Sequence, residues 1–464
     1  MSKKLLHHFE SKQVSIEERI KAGKAMRKKV TRQSLGIYNP PAKRPDPVAI
    51  LEKQGKERVA ELVPIRYARM LTSPFAFLRG SAGIMAGDIA CSVKHSGLRV
   101  QACGDMDLAN FGVFSSAERN LVFGINDFDE TIPAPFEWDL KRLAASIVAA
   151  GQFLGADKKI CEDSIRRAIT SYRKKMRQFS RMGNLEVWYS TIKDKDILQT
   201  LDASARAGAE KIFSKARTRT HMQVLGKLTD MVDEKHLLRE AAPFIVRMTQ
   251  TENGKPIREG IAAFLETYFA SLADDRASLL SRYRITDVAR KVVGVGSVGT
   301  RCFVIFMTGS HLDDPLFLQL KEAQPSVFGP FVAKSKYSNE GQRVVSGQRL
   351  IQGAPDIFLG WGTVDKRQFY IRQLRDMKGS LEFDPAKIKF ENLPQYTSLC
   401  GWALALAHAK SGDAAMLAGY VGNSEELDDA MVKFAFSYAT QNEKDYEALV
   451  KAAKTGRIKV GKSE

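Results

Sequence analysis

Apolar residues recur at three- and four-residue spacing along most of this chain, the period of helices with one buried face. Residues 49–69 carry Leu51, Val59, Leu62 and Val63 in this way and are predicted helical. Ser73-Pro74 opens a second helix, with Pro in the first turn where its missing N–H costs nothing. It runs through Phe75, Phe77, Leu78, Ile84, Met85 and Ile89. Residues 138–151, WDLKRLAASIVAAG, form an apolar-rich helix by pattern, and the helical period resumes from 157 to about 286 with long charged faces. Further helices are expected over 339–359, 396–409 and 428–452.

Strand-like runs interrupt this pattern. Leu121 to Ile125 is a short continuous apolar run, the mark of a buried strand. Residues 284–293 and 300–306 are rich in β-branched and aromatic residues and enclose Gly294-Val-Gly296-Ser297-Val-Gly299. Residues 315–322 make the next strand, and 369–374 an edge strand and hinge, with Arg372, Asp376 and Lys378 around its end. A dinucleotide-binding Gly-x-Gly-x-x-Gly needs a helix directly after it, so strand, glycine loop, strand is the reading here. The chain ends look peripheral. Ser15 and Glu18 have capping-box spacing for a helix start, the prolines after Tyr38 end the helix, and a linker with little local order follows. The basic C-terminal residues are expected to fray.

With 464 residues the chain is long for one core, and 44% hydrophobic residues suffice for two packed units. The expected divisions are 1–48, a basic helix and linker; 49–283, a helical unit; 284–380, a β-rich unit; and 381–464, helices packing on the helical unit. No apolar run approaches membrane-span length, and the start MSKKLLHHFESKQ lacks a signal core. The five cysteines are odd in number and make no Cys-x-x-Cys pair, so neither disulfides nor a zinc site is indicated, and a reducing cytoplasm fits. A net charge of +18 attracts anions such as nucleotides, nucleic acid or acidic membrane surfaces. No nucleic-acid-binding signature accompanies it, and a solvated basic surface accounts for it equally well.

The densest chemistry lies within residues 100–138. Asp105, Asp107 and Asn110 sit in GDMDLANFG, a run too broken by glycine and small polar residues to be a regular helix. Asp127 and Asp129 follow the 121–125 strand in Asn126-Asp127-Phe128-Asp129-Glu130. Carboxylates and an amide on two neighbouring loops suit a hard cation such as magnesium and supply a general base. Arg79 is a charge inside an apolar run, explained either by a structural ion pair or by contact with a substrate phosphate.

An Asp-x-x-x-x-Asn loop, a strand and then Asp-Phe-x resembles the catalytic and metal loops of the protein-kinase-like superfamily, in the form used by aminoglycoside and choline phosphotransferases. Over most of its length the chain resembles the domain-of-unknown-function 2252 family of bacterial proteins. The matching stretches are PIRYARMLTSPFAFLRGSAGIMAGDIA, GDMDLANFG, LVFGINDFDETIPAPFEWDLKRLAAS, QRVVSGQRLIQGAPDIFLGW, QLRDMKGS and GWALALAHAKSGD. The resemblance implies a two-lobed α+β protein-kinase-like fold, with a large helical lobe and a smaller antiparallel β-sheet lobe. It implies ATP and Mg2+ as cofactors and transfer of the γ-phosphoryl group to a hydroxyl acceptor, a small molecule rather than a protein. Asp105 would be the base; Asn110 and Asp127 would hold magnesium, with Asp129 at a second metal or the substrate. Gly294, Gly296, Ser297 and Gly299 would cover the phosphates, and Lys321 would meet their charge. Glu340 is the candidate partner of Lys321, with Arg343 and Gln348 as other polar contacts. Asp139 would be a buried carboxylate bracing the catalytic loop.

Asp107 stands where the resemblance leads one to expect His, which changes the charge beside the base. In protein kinases the glycine loop and lysine precede the catalytic loop. Here they follow it, so a circularly permuted order is expected, which the closeness of chain ends in compact domains permits. A pseudokinase or nucleotide-sensing module without turnover, and a basic nucleic-acid-associated protein, are the other functions open to this sequence.

Overall fold

The computed structural model describes residues 7, 9–92, 94–219, 221–374 and 377–462. They form a mixed α+β protein in which every paired strand is antiparallel. Among them no helix is long and apolar enough to cross a membrane.

The segment from Ile16 to Asp46 is packed against the rest of the protein, not loose. Helix α1 (Ile16–Met26) starts at a capping box between Ser15 and Glu18. Leu35 is fully buried, and Arg44 bridges two buried carboxylates, Asp88 at 2.7 Å and Asp445 at 2.5 Å. This corrects the expectation of a poorly ordered linker: Arg44 ties the segment to two distant helices. The helix expected over 49–69 divides into α2 (Pro47–Gly55) and α3 (Val63–Met70), joined by a 3₁₀ turn. Its backbone leaves the helical path where the Val59 N–H donates to the Gly299 carbonyl at 2.8 Å. The next expected helix likewise divides, into α4 (Pro74–Gly80) and α5 (Ala82–Ser92).

A β1–β4 ribbon (Arg99–Ala102 with Ile132–Pro135) and the hairpin of β2 (Phe111–Ser115) with β3 (Leu121–Ile125) frame the acidic loops. Helix α6 (Phe136–Phe153) leaves β4 and runs through the largest core, with every residue from Phe136 to Gly151 buried. Four of these carry charge: Glu137, Asp139, Lys141 and Arg142. Helix α7 (Lys158–Phe179) packs in the same core.

The stretch expected to be helical up to 286 also holds strands. The two-residue strand β5 (Ile192–Lys193) extends the β2–β3 sheet, and β6 (Thr229–Val232) and β7 (Lys235–Leu238) form a hairpin. Its turn residues Asp233 and Glu234 both have positive φ, as a two-residue hairpin turn demands. Strand β8 (Ile245–Arg247) then joins a six-stranded sheet with β9 (Arg284–Lys291), β10 (Cys302–Thr308), β11 (Pro315–Glu322), β12 (Gly360–Val364) and β13 (Arg367–Gln373). The order is β12-β13-β11-β10-β9-β8, so β13 is internal and β12 is the edge. The expected edge strand at 369–374 is thereby corrected: a turn with Asp365 at φ +53° folds β12 back onto it.

Helix Ile257–Phe269 covers one face of this sheet through Phe264 and Tyr268, against Val288, Ile305, Leu316 and Leu318. The sheet region thus draws in chain that precedes the composition change at Arg284. Between β11 and β12 lies α8 (Glu340–Ile351), capped by Asn339. After β14 (Gly379–Ser380), which pairs with β2, come α9 (Leu393–Ser411), α10 (Ala414–Val421) and α11 (Glu426–Lys454). Helix α1 lies on α10 with glycines at both contact points: a Cβ on Gly23 would strike the Met416 carbonyl, and one on Gly419 the Ile20 carbonyl. The C-terminal residues do not fray as expected. Ile458 is buried, Arg457 pairs with Asp46 and Glu52, each at 2.7 Å, and the Gly461 N–H donates to the Pro64 carbonyl.

Candidate functional site

The first acidic loop joins β1 to β2 and is fixed from below by α6. Fully buried Asp139, in the first turn of α6, accepts the N–H groups of Cys103 at 2.7 Å and Gly104 at 3.0 Å. His408 Nε2 lies 3.2 Å from the same carboxylate, and its Nδ1 lies 2.9 Å from the Tyr172 hydroxyl. Gly104 has φ +86°, and a Cβ there would run into the Glu130 carbonyl, so only glycine fits. Buried Asp107 caps the following turn, accepting the Ala109 N–H at 2.7 Å, and Asn110 Nδ2 donates to the Asp105 carbonyl at 2.6 Å.

This bracing leaves the Asp105 carboxylate half-buried at the loop's open side. Arg142 Nε and Nη2 both donate to its Oδ1, at 2.9 and 2.6 Å, while Nη2 also holds the Leu78 carbonyl at 2.7 Å. Burial pushes the Asp105 carboxyl up to about 6; Arg142 opposes the rise, and the charges of Asp107 and Asp127 add to it. A carboxylate with a raised pKa is better matched to taking a proton near neutral pH than an ordinary one.

The second acidic loop leaves β3 and meets the six-stranded sheet. Lys321, Cys302 and Tyr370 stand opposite one another on β11, β10 and β13, so their side chains share one face of the sheet. Buried Lys321 pairs with Asp129 at 2.6 Å, and the Tyr370 hydroxyl donates to the other oxygen of the same carboxylate. Burial works against ionisation of Asp129, but the charge and hydrogen bond of Lys321 and the Tyr370 hydroxyl outweigh it and hold the carboxyl below its usual range. Two residues further along this sheet face, Arg372 donates to the Asn126 carbonyl at 3.0 Å. Asp127 accepts one hydrogen bond, from the Asp129 N–H at 3.3 Å, and makes no ion pair among the described residues.

Both loops open onto one cavity of about 110 Å³. Asp105, Asp107, Asn110, Asp127 and Asp129 line one side of it, and Arg79, Gly294, Gly296 and Ser297 also contribute to its lining. The glycine loop between β9 and β10 is held there by arginines, with Arg58 donating to the Gly296 carbonyl at 2.8 Å and Arg69 to the Gly294 carbonyl at 2.6 Å. Ser297 Oγ lies 3.5 Å from Asp129. Gly299 sits at φ +89° against the stem of Arg58. Among the described residues no three His, Cys, Asp or Glu side chains form a ready cation cage. A larger, mostly apolar cavity of about 550 Å³ is lined by the opposite sheet face and helix Ile257–Phe269, and contains none of these carboxylates.

One sequence expectation needs correction. Glu340 does not reach Lys321. It pairs with Arg343 one helical turn away, and Lys321 takes Asp129 instead, because the row on β11 faces the acidic loop and not α8. Asp129, expected at a second metal or the substrate, has its two oxygens engaged by Lys321 and Tyr370 in this structure. Asp376 lies outside the described residues.

Arg343, expected only as a polar contact, has a larger part than that, and other site residues escape the sequence. Buried Arg343 donates to the carbonyls of Thr131 at 2.6 Å, Asp129 at 2.9 Å and Gln324 at 2.8 Å, fixing the second loop. Glu130 lines the cavity, accepts the Val327 N–H at 2.7 Å and is pushed by burial up to about 7. Arg58 and Arg66 line it as well. For Arg142 a signal existed, Lys141-Arg142 inside an otherwise apolar helix; for the others an arginine in a polar helical run looks like any solvated one.

The fold and the site together define an α+β protein with antiparallel sheets, whose cleft gathers carboxylates from two loops under an arginine-held glycine loop. Residues 58–452 match the model of a family described as "Uncharacterized protein conserved in bacteria (DUF2252)", and the chain belongs to that family. No curated protein and no solved structure matches it.

Proposed function

We propose that this cleft is a phosphotransferase site of the protein-kinase-like type, with the two halves of the machinery in circularly permuted order and two lobes flanking the cleft. The observation that carries the reading is the meeting of the loops of Asp105, Asn110 and Asp127 with the glycine loop on one cavity, and the seating of Lys321 on the second of those loops. Asp105 takes the proton of the acceptor hydroxyl, poised by its raised pKa and oriented by Arg142.

Asn110 and Asp127 would hold magnesium: both line the cavity, and Asp127 lacks a cation partner among the described residues. The lack of a preformed cage suits an ion that completes its shell with phosphate oxygens and water. A bound magnesium nucleotide supplies the phosphoryl group. The glycine loop covers its phosphates, and the Lys321–Asp129 pair takes the place of the lysine–glutamate pair of protein kinases.

A second reading, a nucleotide-sensing module without turnover, draws on the Arg142 clamp, which ties up one oxygen of Asp105. A phosphorylation screen of a metabolite extract with γ-labelled ATP, run beside an Asp105→Asn control, separates the two. Label transferred by the wild type alone supports the enzyme. Magnesium-dependent ATP binding without transfer supports the sensor, and absence of both removes the nucleotide from the picture.

A further inference from the structure

We propose that Arg58, Arg66 and Arg79 form a phosphate-binding subsite in the wall of the cleft. The subsite stands on burial and charge; that its occupant belongs to a nucleotide or to a phosphorylated acceptor rests on the phosphotransferase reading.

The carboxylates of the cavity are largely spoken for. Asp105 has Arg142, Asp129 has Lys321, Glu322 has Arg301 and Arg367, and Asp107 lies 3.5 Å from Arg79. Arg58 and Arg66 are different: among the described residues neither meets a carboxylate. Their bonded nitrogens reach only neutral oxygens, Arg58 those of Gly296 and Val298, Arg66 those of Gln54 and Gly80. The remaining Nε of Arg58 and the Nε and Nη1 of Arg66 are buried without a hydrogen-bond partner, and the Nε of Arg79, which also lacks one, faces Asp107 at 3.5 Å. Arg66 is 1% exposed and lines the cavity with the other two.

A guanidinium does not shed its proton at neutral pH, and a buried charge facing only carbonyl oxygens is poorly compensated. Burial, and for Arg66 the charge of Arg58 beside it, disfavours both cations, while the charges of Glu130, Glu322 and Asp129 offset part of this for Arg58. What the cluster lacks is an anion with several acceptor oxygens placed for arginine forks. Phosphate offers three such oxygens to the three idle nitrogens of Arg58 and Arg66, and paired N–H groups bind it in a geometry that lysine does not provide. A cavity of about 110 Å³ matches a phosphoryl-sized group rather than a whole nucleotide.

The test uses the full chain in EDTA, without magnesium or nucleotide. Inorganic phosphate and pyrophosphate are titrated by calorimetry and thermal melting against chloride and acetate at equal ionic strength. Saturable binding of phosphate or pyrophosphate beyond both controls is expected, weakened about tenfold or more in Arg66→Met and in Arg58→Met, the loss that follows from removing a charged hydrogen bond. Arg79→Met, at a partly exposed position, gives the same readout should the buried Arg66 variant fail to fold. No binding by the wild type, or unchanged affinity in the folded variants, overturns the proposal. If ATP displaces the phosphate, the subsite serves the nucleotide tail; if phosphate still binds at saturating ATP, it serves a phosphorylated acceptor. Phosphate binding with no transfer from ATP leaves the subsite standing and defeats the phosphotransferase reading. Transfer whose KM values for ATP and acceptor ignore Arg58 and Arg66 does the reverse.

Discussion

Asp105 and Lys321 show how one neighbour sets what a side chain can do. Asp105 is pushed up to about 6 although Arg142 holds it. A base must be ionised, so transfer should rise with pH through about 6 and level off above it; a pH profile of kcat/KM checks this. Asp105→Asn should lower turnover by about 10²–10⁴-fold, the range for losing a general base, with nucleotide affinity little changed. Lys321 is buried, and its partner Asp129 is held below the usual carboxylate range. A depressed carboxyl lends stability above its unfolded pKa and withdraws it as pH falls through the folded one. Lys321→Met strands that carboxylate and should cost about 3 kcal/mol at pH 7, the low end for breaking a buried pair, since Asp129 keeps some contact with solvent. The deficit should shrink below about pH 4, where carboxyls protonate in the unfolded chain. Urea melts of both proteins at the two pH values measure it, and an equal deficit at both would detach the effect from Asp129.

Among the elements, helix α1 on α10 is the sharpest contact by backbone approach. Gly23 and Gly419 each leave room for a carbonyl of the other helix. Gly419→Ala should destabilise by about 1–3 kcal/mol through overpacking, seen as a lower urea midpoint with unchanged slope; an unshifted midpoint would mean that the helices separate freely. The same scale explains what the sequence reveals. The acidic loops are legible because glycine and Asx-turn residues bound a short apolar strand, all local signals. The hairpin of β6 and β7 hides among helices because its strands are short and mostly exposed, with no alternating pattern to betray it. The internal place of β13 is invisible because pairing with β11 and β12 is decided by the sheet as a whole. The Glu340 expectation fails for a related reason: spacing brings a glutamate to the helix start, but only the sheet's face decides which acid meets Lys321.

For the whole molecule, the site is assembled from chain far apart in sequence: helices α3 and α4, two acidic loops, and a glycine loop almost two hundred residues later. If these parts serve one magnesium nucleotide, magnesium and ATP together should raise the melting temperature by more than the sum of each alone, because each completes the other's binding shell. Strictly additive shifts would point to independent sites. Arg58 and Arg69 are the least legible of these parts from sequence, since each meets the glycine loop more than two hundred residues away, 238 and 225 residues respectively.

Gly461 bonds to Pro64 at the start of α3, Ile458 is buried, and Arg457 is locked onto Asp46 and Glu52. These residues therefore buttress the helix that carries Arg66 and Arg69. This bears on how the protein is best handled. An affinity tag fused directly behind these residues would load that buttress, which packs on the helix whose Arg66 lines the cleft. A protein purified by its C-terminus and found inactive would deserve a second preparation, tagged at the other end, before its chemistry is judged.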